Sequence, residues 1–340
     1  MKKILALLLA LAMVVSLAAC TSSSDTPPAE ESGNAEVALD YPTKPITFMV
    51  AAKAGGGLDI ISRIAAKHLQ AAVGQNVNVE NNATGSGAVA YTTVATGAKD
   101  GYNMILITNS NIMDSYLRED CFYSLESFTP ICTVDVSPVV LVVKKGGEFD
   151  IPLSEIIEKA KTEDISMGIA LTWKAADYAR LMLMEETGVT FTRVAYSGSG
   201  TEAAQAVASG EIDMAFLYPN EANSYVQAGD LNCVAVSSDS RFSALPDVPT
   251  IQELGYNVPN LVLRRCIAIA SGTDKAVVDY LSDTFQTILS DPAVVQEYAD
   301  AAVEVCWADS ETTLAQLKTD YETYYNFLSS HDIEAGGVPW

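Results

Sequence analysis

Histidine is nearly missing: His68 and His331 are the only two in 340 residues. That count excludes a His-rich zinc site and any mechanism passed among several histidines. Positive charge is scarce too, with 20 Lys and Arg against 43 Asp and Glu, a formal net charge of −23. Phosphate backbones repel such a chain, which excludes non-specific binding of DNA or RNA. An anionic ligand needs a local exception to the overall field. The six cysteines form no CxxC pair, so a metal knuckle is not indicated. Past Cys20 the count is odd: Cys121, Cys132, Cys233, Cys266 and Cys306. Pairing of Cys121 with Cys132, and of Cys266 with Cys306, is open, and buried free thiols are the plainer expectation. Long apolar runs are also lacking beyond the N-terminus, so no later segment can span a bilayer.

What is there begins with an address. Lys2 and Lys3 precede an apolar run, Ile4 to Leu17, broken only by Ser16. Small residues and Cys20 close it. A basic start, apolar middle and small-residue cleavage site predict a secretory signal over 1–19. The cysteine at the cut resembles a bacterial lipobox, which implies a lipidated Cys20 and attachment by two acyl chains. Residues 20–40 are rich in Ser, Pro, Ala and Glu, and predict a flexible tether.

From Ile46 onward, short apolar runs alternate with helical patterns. Ile60, Ile61, Ile64, His68, Leu69 and Ala72 recur at helical spacing, and Gly74 stops them. Strands are predicted at Ile46–Ala51, from Val77, at Met104–Ile107 and at Val139–Val143, the last an unbroken apolar run suited to burial on both faces. Further strands fall at Ile165–Ala170, Phe191–Ala195, Ile212–Leu217, Cys233–Val236, Ile267–Ala270 and near Val303–Trp307. Helices are predicted at Ser154–Lys161, from the Leu171–Lys174 turn to Glu186, at Glu202–Ser209 and at Asp274–Leu289. A last helix follows Ser310, an N-cap residue type. Its stripe of Leu314, Leu317, Tyr321, Tyr324, Tyr325 and Leu328 predicts core packing. Alternation of this kind specifies an α/β fold with a mostly parallel sheet. The apolar fraction of 49% supports a packed core, and the length suits two domains.

Three turns carry the chemistry. Gly55–Gly57, Gly85–Gly87 and Ser197–Gly200 each follow a strand and precede a helix or apolar segment. Glycine lets backbone approach a ligand, and a helix start offers unpaired N–H groups and the positive dipole end. Such places hold carboxylate, phosphate or sulfate without a basic side chain. Enzyme motifs fail. Leu58-Asp59 stands where a P-loop needs Lys-Ser/Thr, Gly85–Ala90 lacks the third glycine of a dinucleotide fingerprint, and Tyr196–Gly200 lacks the first glycine of a nucleophile elbow. Two histidines, one on an apolar helix face and one near the tail, make a Ser-His-Asp triad implausible.

In order along the chain, several motifs resemble the substrate-binding proteins of tripartite tricarboxylate transporters, the TctC or Bug family. Tyr41-Pro42-Thr43-Lys44-Pro45-Ile46 looks like the family's "YPxKPI", and Ala54-Gly55-Gly56-Gly57-Leu58-Asp59 like its "PGGGTD" loop. Val79-Glu80-Asn81 with Gly85-Ser86-Gly87 looks like "VENxxGAGG". Lys99-Asp100-Gly101-Tyr102 with Thr108 looks like "PDGYTLLxxT", and Phe128-Thr129-Pro130-Ile131 like "FxPI". Tyr196-Ser197-Gly198 with Gly210-Glu211-Ile212-Asp213 is similar to "YxG…GxVD". Leu245-Pro246-Asp247-Val248-Pro249-Thr250, with Glu253 and Gly255, matches "LPDVPTxxExG" almost letter for letter. The chain departs from the pattern at Leu58, at Ala52 and Ala54 around Lys53, at Asp177 where many members have His, and at Trp173-Lys174.

The resemblance implies a type II periplasmic-binding-protein fold: two α/β lobes that close on a ligand, joined by two crossing hinge strands near Val139–Val143 and Arg264–Ala270. The first lobe would take 41–141 and 263–340, the second 142–262. It implies a small mono-, di- or tricarboxylate ligand, no catalysis, no cofactor and no metal. The implied partner is a permease with large and small TctA/TctB-like subunits, served by a monomer lipid-anchored outside the cytoplasm. The expected ligand-binding residues are Ala52, Lys53, Gly55, Gly56, Gly57, Asp59, Asn81, Gly85, Ser86, Gly87, Thr108, Asn109 and Ser110 in one lobe. In the other they are Leu171, Thr172, Trp173, Lys174, Tyr196, Ser197, Gly198, Ser199 and Tyr218. Asp59 is expected to fix its loop, Lys53 and Lys174 to add charge, and Trp173 to stack on the ligand or pack beneath the loop. A sensor or scavenger that presents ligand to a signalling receptor would have the same sequence. An enzyme on a two-lobed fold is the remaining alternative.

Overall fold

A computed structural model describes residues 39–117, 121–169, 174–196, 200–301 and 303–331. The expected signal, Cys20 and the tether up to Ala38 lie outside these, as do Leu171, Thr172, Trp173, Ser197, Gly198 and Ser199. No helix among the described residues is long and apolar enough to cross a membrane.

The first sheet is built on β1 (Ile46–Val50), β2 (Val77–Asn81) and β3 (Asn103–Thr108), which run parallel. Between them lie α1 (Gly57–Val73) and α2 (Ala88–Ala95). Gly74, at φ 70°, ends α1 as its spacing predicts: its N–H returns to the Gln70 carbonyl, a left-handed cap that glycine adopts without strain. Two short helices follow, α3 (Asn109–Ile112) and α4 (Asp114–Leu117). Then β4 (Phe128–Lys144) runs for 17 residues. It pairs with β9 (Val262–Ala270) as far as Pro138, and from Val139 with β7 (Met214–Leu217) and β8 (Leu231–Ser237) of a second sheet.

The second sheet adds β5 (Ile165–Ile169) and β6 (Phe191–Ala195), with β7-β5-β6 parallel. Its helices are α5 (Leu153–Ala160), α6 (Ala175–Thr187), α7 (Gly200–Ser209) and α8 (Pro219–Ala228). The chain returns through residues 238–261, where the Pro249 carbonyl and Ile251 N–H bond to Val236 on β8. It ends with α9 (Lys275–Ser290), α10 (Pro292–Asp300), β10 (Val305–Ala308) and α11 (Ser310–Ser330). Each sheet thus joins three parallel strands to antiparallel ones at the crossing. Of the two strands expected to cross, β4 does so at Pro138–Val139. β9 pairs within the first sheet over its whole length, and the return crossing falls just before Val262.

Each sheet is covered by its own apolar core. Phe48, Ile61, Leu69, Leu106, Ile267 and Phe285 pack under α1 and α9, and Ile165, Met167, Leu183, Phe191 and Phe216 under α5 and α6. Val139–Val143 are all fully buried, as an unbroken apolar strand requires. α11 packs on both sheets: Leu317 joins Ile105, Ile107 and Cys266 on the other face of the first, and Tyr324 and Leu328 join the core of the second. Tyr325, expected in that stripe, is exposed and stacks on Tyr321. Ser310 does not cap α11. Asp309 does, its carboxylate accepting the Thr312 N–H at 2.7 Å, while the Ser310 hydroxyl donates to the Pro130 carbonyl. His68 is half-buried, and with Lys67 it grips Glu297, tying α1 to α10.

The five cysteines past Cys20 are free, so neither open disulfide pairing forms. Cys132, Cys233 and Cys266 are buried, and burial pushes the Cys233 thiol up to about 11 and Cys266 to about 12. Only Cys306 is exposed. A thiol reagent applied to the native chain will modify Cys306 first, and Cys132, Cys233 and Cys266 only on unfolding. Mass mapping of the labelled peptides checks the order.

Candidate functional site

In open α/β sheets ligands bind beyond the carboxyl ends of the parallel strands. β1 and β3 deliver the loops 51–57 and 108–110 to that edge, and the turn after β2 delivers 82–87. α1 begins there on Gly56, which has no side chain to cap it, so its first N–H groups stay open to an anion. Asp59, buried in the first turn, does not point at that ligand position. Its carboxylate accepts the Gly55 N–H at 2.8 Å, Arg63 Nε at 3.0 Å and Asn81 Nδ2 at 2.8 Å. Burial alone would raise this carboxyl, but the bonds from Arg63, Gly55 and Asn81 hold it below its ordinary value. Asn81 also donates to the Ala52 carbonyl and accepts from Arg63, so it joins two loops.

The second glycine turn packs on the first. Gly85, Ser86 and Gly87 all have left-handed backbone, with φ 60°, 57° and 90°. A Cβ on Gly87 would lie 2.6 Å from the Ala51 carbonyl oxygen, so only glycine lets the two turns meet. Lys53 is exposed at the rim.

Residues 108–110 are mostly occupied with structure. Thr108 caps α3, accepting the Asn111 N–H. Asn109 is buried; it donates to the Val262 carbonyl and Asp320 and accepts the Arg264 N–H. The Ser110 carbonyl accepts Lys174 Nζ at 3.1 Å, and the same amine pairs with Asp114 at 3.0 Å. Lys174, the N-cap of α6, therefore reaches from the second sheet's helix to α3 and α4. Asp177, one turn along, is buried against Arg180 at 2.8 Å.

Across from Gly57 stands the start of α8. A Cβ on Gly57 would lie 4.0 Å from Asn220 Nδ2. Pro219 opens α8, and Glu221 closes a capping box with Tyr218. The Glu221 carboxylate accepts the N–H groups of Tyr218 at 3.0 Å and Gly200 at 3.1 Å, so it also holds the first residue of α7. Burial pushes this carboxyl up, against those two N–H groups and the charge of Arg265. Burial likewise pushes the Tyr218 phenol up. The Tyr196 N–H extends the β5–β6 pairing to Ile169, and its hydroxyl is buried without a partner among the described residues.

The Gly55–Gly57 and Gly85–Gly87 turns, Asn81, Lys174 and Tyr218 are thus gathered around the edge where α1 and α8 begin. Asn220, Glu221, Asp114 and Arg265 were not picked out from the sequence. Pro219 followed by Glu221 is an N-terminus signature that could have found the first two. A cavity of about 530 Å³ lies elsewhere, between α8 and α10–β10, and no expected site residue lines it. Among the described residues no three His, Cys, Asp or Glu side chains converge as a metal site.

Residues 61–324 match the model of the tripartite tricarboxylate transporter family receptor. The chain belongs to this family. The receptor is 28% identical over 299 residues to a UPF0065 protein of Agrobacterium vitis, covering 87% of this chain and 86% of that one. It is similar to the solved periplasmic binding protein BugD at 27% identity and a TM-score of 0.71, covering 86% of this chain and 99% of that one. The same fold recurs in an R. palustris protein solved with adipate, at 21% identity and a TM-score of 0.74, covering 87% and 99%. In this receptor the two sheets are the centres of the two lobes of a periplasmic-binding-protein fold.

Proposed function

We propose that this receptor captures a small carboxylate between its lobes, outside the cytoplasm, and hands it to a membrane permease with large and small subunits. The observation that carries the reading is the start of α1. Its N–H groups are uncapped, its one acidic side chain is turned into the loop, and Asn220 faces it from the other lobe. That is an anion seat in a chain of net charge −23. The adipate in the R. palustris relative supports the ligand class. The change of sheet at Pro138–Val139 and again before Val262 supports lobes of 41–141 plus 263–340 and of 142–262. Relative motion of the two about these crossings would admit and enclose the ligand. A lipid on Cys20 would keep the receptor at the membrane as a monomer. No catalytic step is proposed.

Thermal unfolding of the purified chain with carboxylates, amines and sugars tests this. A ligand at 100 times its dissociation constant adds about 2.7 kcal/mol, which raises the midpoint by several degrees. The expected result is a shift confined to carboxylates. A shift with amines or neutral sugars alone would overturn the role given to the helix start.

A further inference from the structure

Two consecutive arginines interrupt the apolar strand β9, and they are treated very differently. Arg264 has two partners: its Nε bonds Asp320 at 2.9 Å and its Nη1 bonds Gln316 at 2.8 Å, both on α11. Arg265 is 4% exposed, and among the described residues only its Nη1 finds a partner, Asp135 on β4. Among the same residues its Nε and the second oxygen of Asp135 are buried with none. A guanidinium carries five N–H donors, and leaving them unmet in a buried place is costly.

The topology says where this cation lies. β9 runs antiparallel to β3, and Arg265 pairs with Thr108, the last residue of β3. Arg265 therefore stands at the carboxyl-end edge of the parallel strands, where ligands bind. By strand alternation it shares the face of Ile267 and Ile269, which pack with Ile61 and Ile64 of α1. It lies on the α1 side, at the edge where α1 begins. Its charge also reaches the other lobe, favouring the ionised forms of Tyr218 and Glu221. Glu221 does not satisfy it, because the Glu221 oxygens already accept the Tyr218 and Gly200 N–H groups.

We infer that Arg265 is a specificity-determining residue whose guanidinium binds an acidic group of the ligand at the floor of the cleft. The inference rests on the carboxylate reading above and adds to it a side-chain contact. It favours a ligand with two acidic groups, one for the start of α1 and one for Arg265. A planar fork with free N–H groups suits a carboxylate better than a point charge would.

Calorimetric titration of the purified full chain with malate, adipate and acetate tests it. Removing Arg265 alone strands the Asp135 charge, so the main variant is the double change Asp135→Asn with Arg265→Gln. It should weaken the best dicarboxylate at least tenfold and acetate less. Arg265→Lys keeps the charge and should lose part of that affinity. Asp135→Asn alone leaves Arg265 in place and should bind at least as tightly as the unaltered chain. Unchanged dicarboxylate affinity in the double variant would overturn the inference, as would a tenfold loss in Asp135→Asn. If the unaltered chain binds none of the three acids but binds another compound class, the carboxylate reading itself fails first, which keeps the two failures apart.

Discussion

Gly200→Ala is expected to destabilise the chain by about 2–4 kcal/mol and to abolish tight ligand binding. The added Cβ would lie 2.0 Å from Glu221 Oε2 and 2.2 Å from its Cδ. A flexible carboxylate could normally step aside. This one is pinned by the N–H groups of Gly200 and Tyr218, so any retreat costs both bonds and leaves a buried carboxyl with fewer donors. The same carboxylate closes the capping box of α8, so the start of that helix loosens as well. Asn220, which faces Gly57, moves with it. Chemical denaturation measures the first effect and titration the second. A variant as stable as its parent would show that Glu221 is free to move.

Asp59→Ala has the second largest effect. It removes one acceptor shared by Gly55, Arg63 and Asn81, and with it the tie between two glycine turns. Bonds to a buried charged group are worth about 1.5–3 kcal/mol, and the expected loss of stability is of that order. Ligand affinity should fall more than tenfold, because the backbone N–H groups at α1 would no longer be held in place. Asp59 also sets an acid limit. Its carboxyl is held below the ordinary carboxylate value in the folded state, so the unfolded chain takes up the proton first. Its stabilisation is complete above the unfolded value, near pH 4, and is lost as pH falls through the lower folded value. Asp59→Asn should flatten the loss of midpoint temperature with acid relative to the parent. Glu221 works in the other sense: burial raises it, so its contribution is lost as pH rises through its folded value.

Much of the architecture is legible in the sequence because local signals agree with the fold. The spacing of Ile61, Ile64 and Leu69 and the stop at Gly74 specify α1, and the apolar run Val139–Val143 specifies a strand buried on both faces. What escapes has physical reasons. The first half of β4 carries Pro130, Asp135, Ser137 and Pro138, which read as loop. Its polar side chains are met by partners from distant elements, among them Thr313 for Thr133 and Arg265 for Asp135. α10 hides behind Asp291-Pro292, a break that is in fact a cap and a first helical residue. At the site, the glycine loops announce themselves because backbone must approach there. The side chains around them, Asn220, Glu221 and Arg265, come from segments with no glycine signal. Arg265 gains meaning only when β9 is seen to enter the sheet beside the end of β3.

On the function proposed above, an acidic chain holds an anion between its lobes chiefly through backbone N–H groups and one buried arginine. Calorimetric titration of the purified chain with a dicarboxylate, repeated at rising salt, is the decisive test. The expected result is a single site per chain whose affinity changes little with ionic strength, since enclosed charges are poorly screened. No binding of any carboxylate, or one-site binding of a cationic ligand instead, would contradict it.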